Sequence, residues 1–402
     1  MELPARVVAA VTALLILSGC TRSPAPVPTP AAVDIRLADY RGMSAPYLDS
    51  LLAAFAEKHP RVRVVKVPLP YPPDDVELKR MVKAGEVDLF PTGLAAVWYV
   101  SGEPVALDLL QYVQKSRFDL GVYETARDEL YKHGRLIALP VAVHPYVIVA
   151  SKQLAGAAGV TLPTERWTWD QFRELAVRVA KPGSKPTYGF YAARHATSLL
   201  QTWVDQAVQP GVGQPEQAAV GDGLTFLAGL IEAGALPIEP TDGSTVQFWN
   251  LKQAAMTMLP ASELVSLNPF PADWEAVPFP THPGAKPLAP ATVLTYSMSP
   301  ATTHPEEAWD LLSFMAGPEA AVIIGRSGRL PYRLTAEAKQ AFLDASPRLP
   351  RSISAALDSQ WTILPSYTAR NRSSDLWEAA FKVLTGGSPG AALTVYERFR
   401  AQ

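Results

Sequence analysis

Between Asp34 and Val67 the chain alternates strand, helix and strand, and this alternation constrains the fold more than any other feature. Asp34–Asp39 (DIRLAD) reads as a strand. Pro46–Lys58 follows, with Tyr47, Leu48, Leu51, Leu52 and Phe55 at the spacing of one helical face. Ser44 is placed to cap that helix and His59-Pro60 to end it. Val62–Val67 is short and rich in β-branched residues, which suits the next strand. A helix cannot fit inside a hairpin turn. The segment therefore predicts a right-handed crossover between parallel strands. A further helix over about Asp75–Ala84 leads to a third strand at Val87–Phe90, which makes an α/β lobe.

The rest of the chain extends the pattern. Leu136–Ala142 and Tyr146–Ala150 predict two apolar strands with a break at His144-Pro145. Thr168-Trp169-Asp170-Gln171 has the form of a capping box. Behind it Phe172, Leu175, Ala176 and Val179 form one helix face. Helical patterns recur at Thr197–Ala207 and Leu224–Glu232, and strands are expected at Ala254–Leu259, Ala276–Phe279 and Leu294–Ser299. Pro305 opens a helix over Glu306–Met315. The last hundred residues read as mainly helical, and Lys181–Pro186 as a surface loop. A length of 402 residues suits two or three compact units of about 100–200 residues each.

The N-terminus reads differently. Val7–Leu17 is an uncharged apolar run of eleven residues, short of the roughly 20 needed to span a bilayer but suited to a signal peptide. It ends in Leu17-Ser18-Gly19-Cys20, which contains the only cysteine of the chain. A lone cysteine forms no internal disulfide. This tetrad resembles the bacterial lipobox, in which the cysteine receives a diacylglyceryl thioether and becomes the mature N-terminus. Ser23–Pro30 then places four prolines at alternate positions, an extended tether. No second long apolar run exists, so the mature chain is not expected to be an integral membrane protein.

Charge and motifs narrow the function. A net charge of −2 supplies no basic field for nucleic acid. Gly221-Asp222-Gly223 lacks the third glycine of a dinucleotide fingerprint. Ser327 sits in GRSG, which does not form a nucleophile elbow. The six histidines are scattered, with no metal-ligand spacing. Glu306-Glu307 sits in a helical first turn, where carboxylates favour the helix dipole. These readings argue against an enzyme, a metal centre and a cofactor.

Five stretches, in order along the chain, carry a more specific likeness. They are FAEKHPRVRVVKV, HGRLIALPVAVHPYVIVASKQLA running on to LPTERWTWDQF, AAMTMLP, and THPEEAWDLLSFMAGPEAA. Together they resemble the family of extracellular solute-binding proteins, family 1, which feed ABC importers and include the maltodextrin-binding proteins. The resemblance implies a two-lobed periplasmic-binding-protein-like (type II) α/β fold with a hinge and an interlobe cleft. Its expected parts are a signal peptide over 1–19, a lipid-anchored tether over 20–33, a first lobe from 34–143 and 297–335, and a second from 144–296 and 336–402. The implied function is delivery of a small solute, a mono- or oligosaccharide, to ABC permease subunits. The carrier would be a monomer anchored through Cys20 at the extracellular face of the membrane, or periplasmic in a Gram-negative source. A sensor or scaffold lipoprotein that kept the fold without sugar import is the alternative.

Residue by residue, the resemblance implies a solute site at Tyr40, Arg41, Thr92, His144, Tyr146 and Tyr296, with Trp203 and Trp249 as stacking platforms. Arg329 and Tyr332 resemble a structural turn of the family. The chain departs from the family after AAMTM, where Leu259-Pro260-Ala261-Ser262-Glu263 replaces a stretch that often holds a cleft aromatic. It also lacks glycine in Leu288–Leu294, ahead of the returning strand.

Overall fold

The structure is a computed structural model, and it describes residues 32–40, 45–69, 75–92, 105–126, 130–132, 134–163, 166–181, 183, 186–191, 202–203, 206–207, 216–237, 253–261, 264, 273–346, 353, 357, 360–363, 386, 388, 390–391 and 394. The expected signal peptide, Cys20 and the expected tether up to residue 31 lie outside these residues, and Val33, placed in the tether by the sequence, opens the first strand.

The first crossover forms as the alternation predicts. Strand β1 (Val33–Tyr40) leads through helix α1 (Ala45–Lys58) to β2 (Val62–Leu69), and the two strands pair in parallel. Helix α2 (Asp75–Lys83) then leads to β3 (Leu89–Thr92), which is parallel to β1. Tyr47, Leu48, Leu51 and Phe55 are buried, so the apolar face of α1 is the one that packs on the sheet.

Next come α3 (Leu110–Ser116), the short strands β4 (Tyr131–Lys132) and β5 (Arg135–Leu136), and then β6 (Leu139–Ser151). The expected break at His144-Pro145 does not occur, and β6 is one continuous strand of 13 residues. A proline inside a sheet removes a ladder donor. Here it stands where the ladder changes partners in any case.

The first half of β6 pairs with β10 (Leu288–Met298) and β11 (Leu330–Pro331), as far as Pro145 opposite Ala291. From Tyr146 onward it pairs with β8 (Ala254–Pro260) and β9 (Trp274–Val277). A bulge lies in the first half, where the register shifts between Leu294 and Thr295. The extra residue is Val141, and its carbonyl accepts from the Tyr332 N–H at 3.0 Å.

With β7 (Tyr188–Tyr191) parallel to β8, the sheet order is β2-β1-β3-β10-β6-β8-β7. A last strand, β12 (Gln360–Ile363), runs parallel to β10.

Two cores flank this sheet. The first collects β1–β3 and α1 with α7 (Pro305–Met315), α8 (Pro318–Arg326) and α9 (Ala336–Asp344). The second collects α4 (Lys152–Ala157), α5 (Trp169–Val179), β7 and α6 (Glu216–Glu232). Residues of β6 belong to both, with Val147 and Val149 in the first core and Ile148 and Ala150 in the second.

One segment packs differently from the expected lobe assignment. Phe342 of α9, with Ile353 and Leu357, is buried in the first core rather than the second. The cause is local. Gly325 of α8 sits so close to α9 that an added Cβ would lie 2.5 Å from the Ala338 carbonyl. The two helices therefore pack as one unit.

The capping box on α5 forms as expected. Thr168 Oγ1 accepts from Gln171 N at 3.3 Å, and Gln171 Oε1 accepts from Thr168 N at 2.8 Å.

Candidate functional site

Alternation along β6 marks a candidate site. Of its 13 residues only His144 and Tyr146 are partly exposed, and residues two apart share one face of a strand. They bracket Pro145, where β6 passes from its first set of partners to its second. In β10, Thr292 stands opposite His144, and Thr292 and Leu294 are partly exposed in the same alternating way. The result is a small open window on an otherwise buried pair of strands.

Arg329 completes the row. Leu330 pairs with Val143 and Pro331 with Ala142, so the antiparallel register brings Arg329 opposite His144 on the other flank from Thr292. Gly328, at φ 75°, makes the left-handed turn that releases Arg329 from the end of α8. His144 keeps some solvent contact, yet the protein around it desolvates the ring. Desolvation first, and the Arg329 positive charge second, lower its pKa to about 4. The ring is therefore neutral at pH 7, with one nitrogen able to donate and the other to accept.

The parallel strands point their carboxyl ends toward the same region. Asp39 lies near the end of β1, and Tyr47 in the first turn of α1. Burial holds the Tyr47 phenol protonated, well above its ordinary range. The charge of Arg329 opposes that shift and the charge of Asp39 adds to it. One guanidinium thus acts on both His144 and Tyr47. Neutral imidazole, hydroxyls, a carboxylate and a guanidinium together can direct hydrogen bonds at a polyhydroxylated molecule, and Tyr146 adds an aromatic surface.

The other expected site residues fall in different places. Thr92 is buried, and its hydroxyl is held 3.0 Å from Thr295 Oγ1 and 3.1 Å from Ser297 Oγ. Tyr296 is buried in the first core between Pro91 and Leu139 of the flanking strands. Both stand inside the sheet rather than at the open window, which differs from the expectation. Tyr40 ends β1, and its side chain lies outside the described residues, as do Arg41 and Trp249.

Trp203 is a correction. It is 0% exposed, with Trp169, Phe172, Phe190, Phe226 and Phe279 around its ring at 4.7–6.3 Å between centroids. No ring face is open, so Trp203 is core and not a stacking platform.

Motif reading gave Thr292 no role and gave Arg329 only a structural one. Register brings both to the window. Once β6 and β10 are aligned at His144, the polar positions on either side follow by counting in twos.

The family's sequence profile, described as bacterial extracellular solute-binding protein, matches residues 43–322. The chain belongs to this family. None of the curated proteins compared matches it.

Among solved structures, this solute-binding protein is similar to a sugar transporter from Rhizobium etli in an open conformation. The TM-score is 0.77 at 20% identity, over 92% of this chain and 100% of that one. It is also similar to an ABC substrate-binding protein from Listeria monocytogenes in complex with cycloalternan, at TM-score 0.71 and 21% identity, over 92% and 98% of the two chains. A third likeness is to the cyclic α-maltosyl-1,6-maltose binding protein of Arthrobacter globiformis, at TM-score 0.73 and 16% identity, with 92% and 98% covered. At these identities the likeness establishes the fold, which is the two-lobed α/β fold of periplasmic binding proteins.

Proposed function

We propose that this solute-binding protein receives a saccharide at the His144–Tyr146 window and delivers it to the permease of an ABC importer. One observation carries the reading. The only partly exposed positions of β6 are His144 and Tyr146, on one face, where the strand passes between the two cores. Hinge closure of two lobes would cover a solute at that point. Neutral His144 and the Thr292 hydroxyl suit sugar hydroxyls, and the Tyr146 ring suits an apolar sugar face. The description of the R. etli protein as a sugar transporter, and the saccharides named for the L. monocytogenes and A. globiformis proteins, favour this class of solute.

The anchor belongs to the same proposal. Leu17-Ser18-Gly19-Cys20 supplies the lipidation site, and two acyl chains hold a protein at a bilayer where one anchors only marginally.

A thermal-shift screen of mono- and oligosaccharides tests the solute. A ligand at a hundred times its Kd stabilises the fold by about 2.7 kcal/mol. The hit must lose affinity in both His144→Ala and Tyr146→Ala, and unchanged binding in the two would overturn the site. Cys20→Ala expressed with radiolabelled fatty acid tests the anchor, and equal labelling of variant and parent would overturn it.

A further inference from the structure

The Arg329 guanidinium is the charged group at the window, and among the described residues it makes no hydrogen bond or ion pair. Arginine stays protonated in proteins, so this partly buried side chain brings a permanent positive charge. The charge reaches two site groups, His144 and Tyr47. Asp39 opposes Arg329 in its effect on Tyr47, and at His144 the Arg329 charge acts in the same direction as desolvation. By register the guanidinium stands beside His144, and it would suit the carboxylate or phosphate group that a guanidinium receives in bidentate fashion.

We propose that the solute carries an anionic substituent, a carboxylate or a phosphate ester, which Arg329 receives beside His144. The inference rests on the saccharide reading of the same site. The register makes it specific. Thr292 of β10, His144 of β6 and Arg329, the residue just ahead of β11, stand in one row, so the anionic group sits at the β11 end of the row and hydroxyls at the β10 end. Arg329 is then the residue that separates an acidic sugar from its neutral counterpart.

Matched pairs test this in the full mature chain: galactose against galacturonate, digalactose against digalacturonate, glucose against glucose 6-phosphate, and trehalose against trehalose 6-phosphate. Inorganic phosphate and succinate serve as anions without a sugar. Calorimetric titration should give the acidic member of at least one pair a tenfold or greater advantage. Arg329→Gln should close that gap, and Arg329→Lys should restore part of it. The His144 ring pKa, followed by NMR, should rise when the acidic member binds.

Equal or stronger binding of the neutral members would overturn the anionic solute and leave the saccharide reading standing. Binding of phosphate or succinate with no sugar bound would do the reverse. No binding by any of these probes would overturn both. A preference for acidic members that survives Arg329→Gln would remove Arg329 from the role.

Discussion

Arg329 stands opposite His144, one step beyond the ladder that pairs Leu330 with Val143, and its charge adds to desolvation in holding the imidazole neutral. A consequence for stability follows from the direction of the shift. An unfolded chain protonates this histidine near its ordinary value of about 6.5. The folded chain does so only at about 4. Between those values the unfolded state binds more protons, so stability falls as pH drops from about 6.5 and the loss levels off below about 4. The ring keeps some solvent contact, which limits the effect to at most about 3 kcal/mol. Urea melts of parent and His144→Gln at pH 7.0, 5.5 and 4.5 check this. The variant should lose less stability than the parent on acidification. Parallel losses in the two would show that His144 does not contribute.

Trp203 gives the second prediction. Its ring is enclosed by five aromatic neighbours, and its Nε1 has no hydrogen-bond partner. Trp203→Ala should cost about 3–5 kcal/mol through loss of packing. Trp203→Phe keeps most of the apolar volume and gives up no hydrogen bond, so it should cost markedly less. Denaturant melts separate the two. Solute affinity in folded Trp203→Phe should match the parent, and a tenfold loss would return Trp203 to the site.

Much of this architecture is legible in the sequence because it rests on local rules. The α1 face, the Thr168 capping box and Pro305 at the start of α7 depend on neighbours within a few turns, and all three form as read. His144-Pro145 misled for a physical reason. Proline usually ends a sheet ladder, but β6 exchanges every partner at that position, so a missing N–H is tolerated there. The lobe of α9 could not be read either. Its assignment depends on backbone contact at Gly325, and no local pattern encodes it. Family likeness pointed to His144 and Tyr146, which the structure leaves partly exposed on one face of β6. Thr292 and Arg329 became visible only through strand register, a long-range property. Trp203 shows the opposite failure, since a tryptophan in a helical pattern reads alike whether it faces solvent or a ring of other aromatics.

The third prediction tests backbone packing in the second core. A Cβ at Gly189 of β7 would collide with the backbone of Ala176 in α5, where a rigid main chain cannot yield as a side chain would. Gly189→Ala should therefore destabilise by more than the roughly 1–3 kcal/mol usual for overpacking. Gly221→Ala is the control. That position lies within α6 with nothing within 4 Å of an added Cβ, so alanine there should be neutral or stabilising by about 0.4–1 kcal/mol. Thermal melts of both variants, side by side, check the contrast. Equal midpoints would mean that β7 and α5 can move apart at little cost.

The fourth prediction concerns the base of the first lobe, at the end of the strands remote from the window. Asp88 is 0% exposed, just ahead of β3. Its carboxylate accepts from Arg36 N at 2.8 Å, Nε at 2.9 Å and Nη2 at 2.8 Å, and from the Thr302 hydroxyl at 2.8 Å. Its backbone joins the same junction, with Asp88 N donating to Arg36 O and Ser299 N donating to Asp88 O, both at 2.8 Å. One residue thus ties β1, β3 and the end of β10 together. Desolvation alone would raise the carboxyl pKa, but the hydrogen bonds from Arg36 and Thr302, with the Arg36 charge, outweigh it and hold the value below the ordinary range. A depressed carboxyl pKa contributes stability above the unfolded value of about 3.9, which is lost as pH falls through the folded one. At neutral pH, Asp88→Ala leaves Arg36 without its counter-ion in a partly buried position and should cost about 3–5 kcal/mol. Arg36→Met combined with Asp88→Leu removes both charges and should recover part of that loss, because no buried charge is then left unpaired. Guanidinium melts of the single and double variants at pH 7 decide the matter. A double variant no more stable than Asp88→Ala would mean that the hydrogen bonds to backbone and Thr302, rather than the charge pairing, hold this junction together.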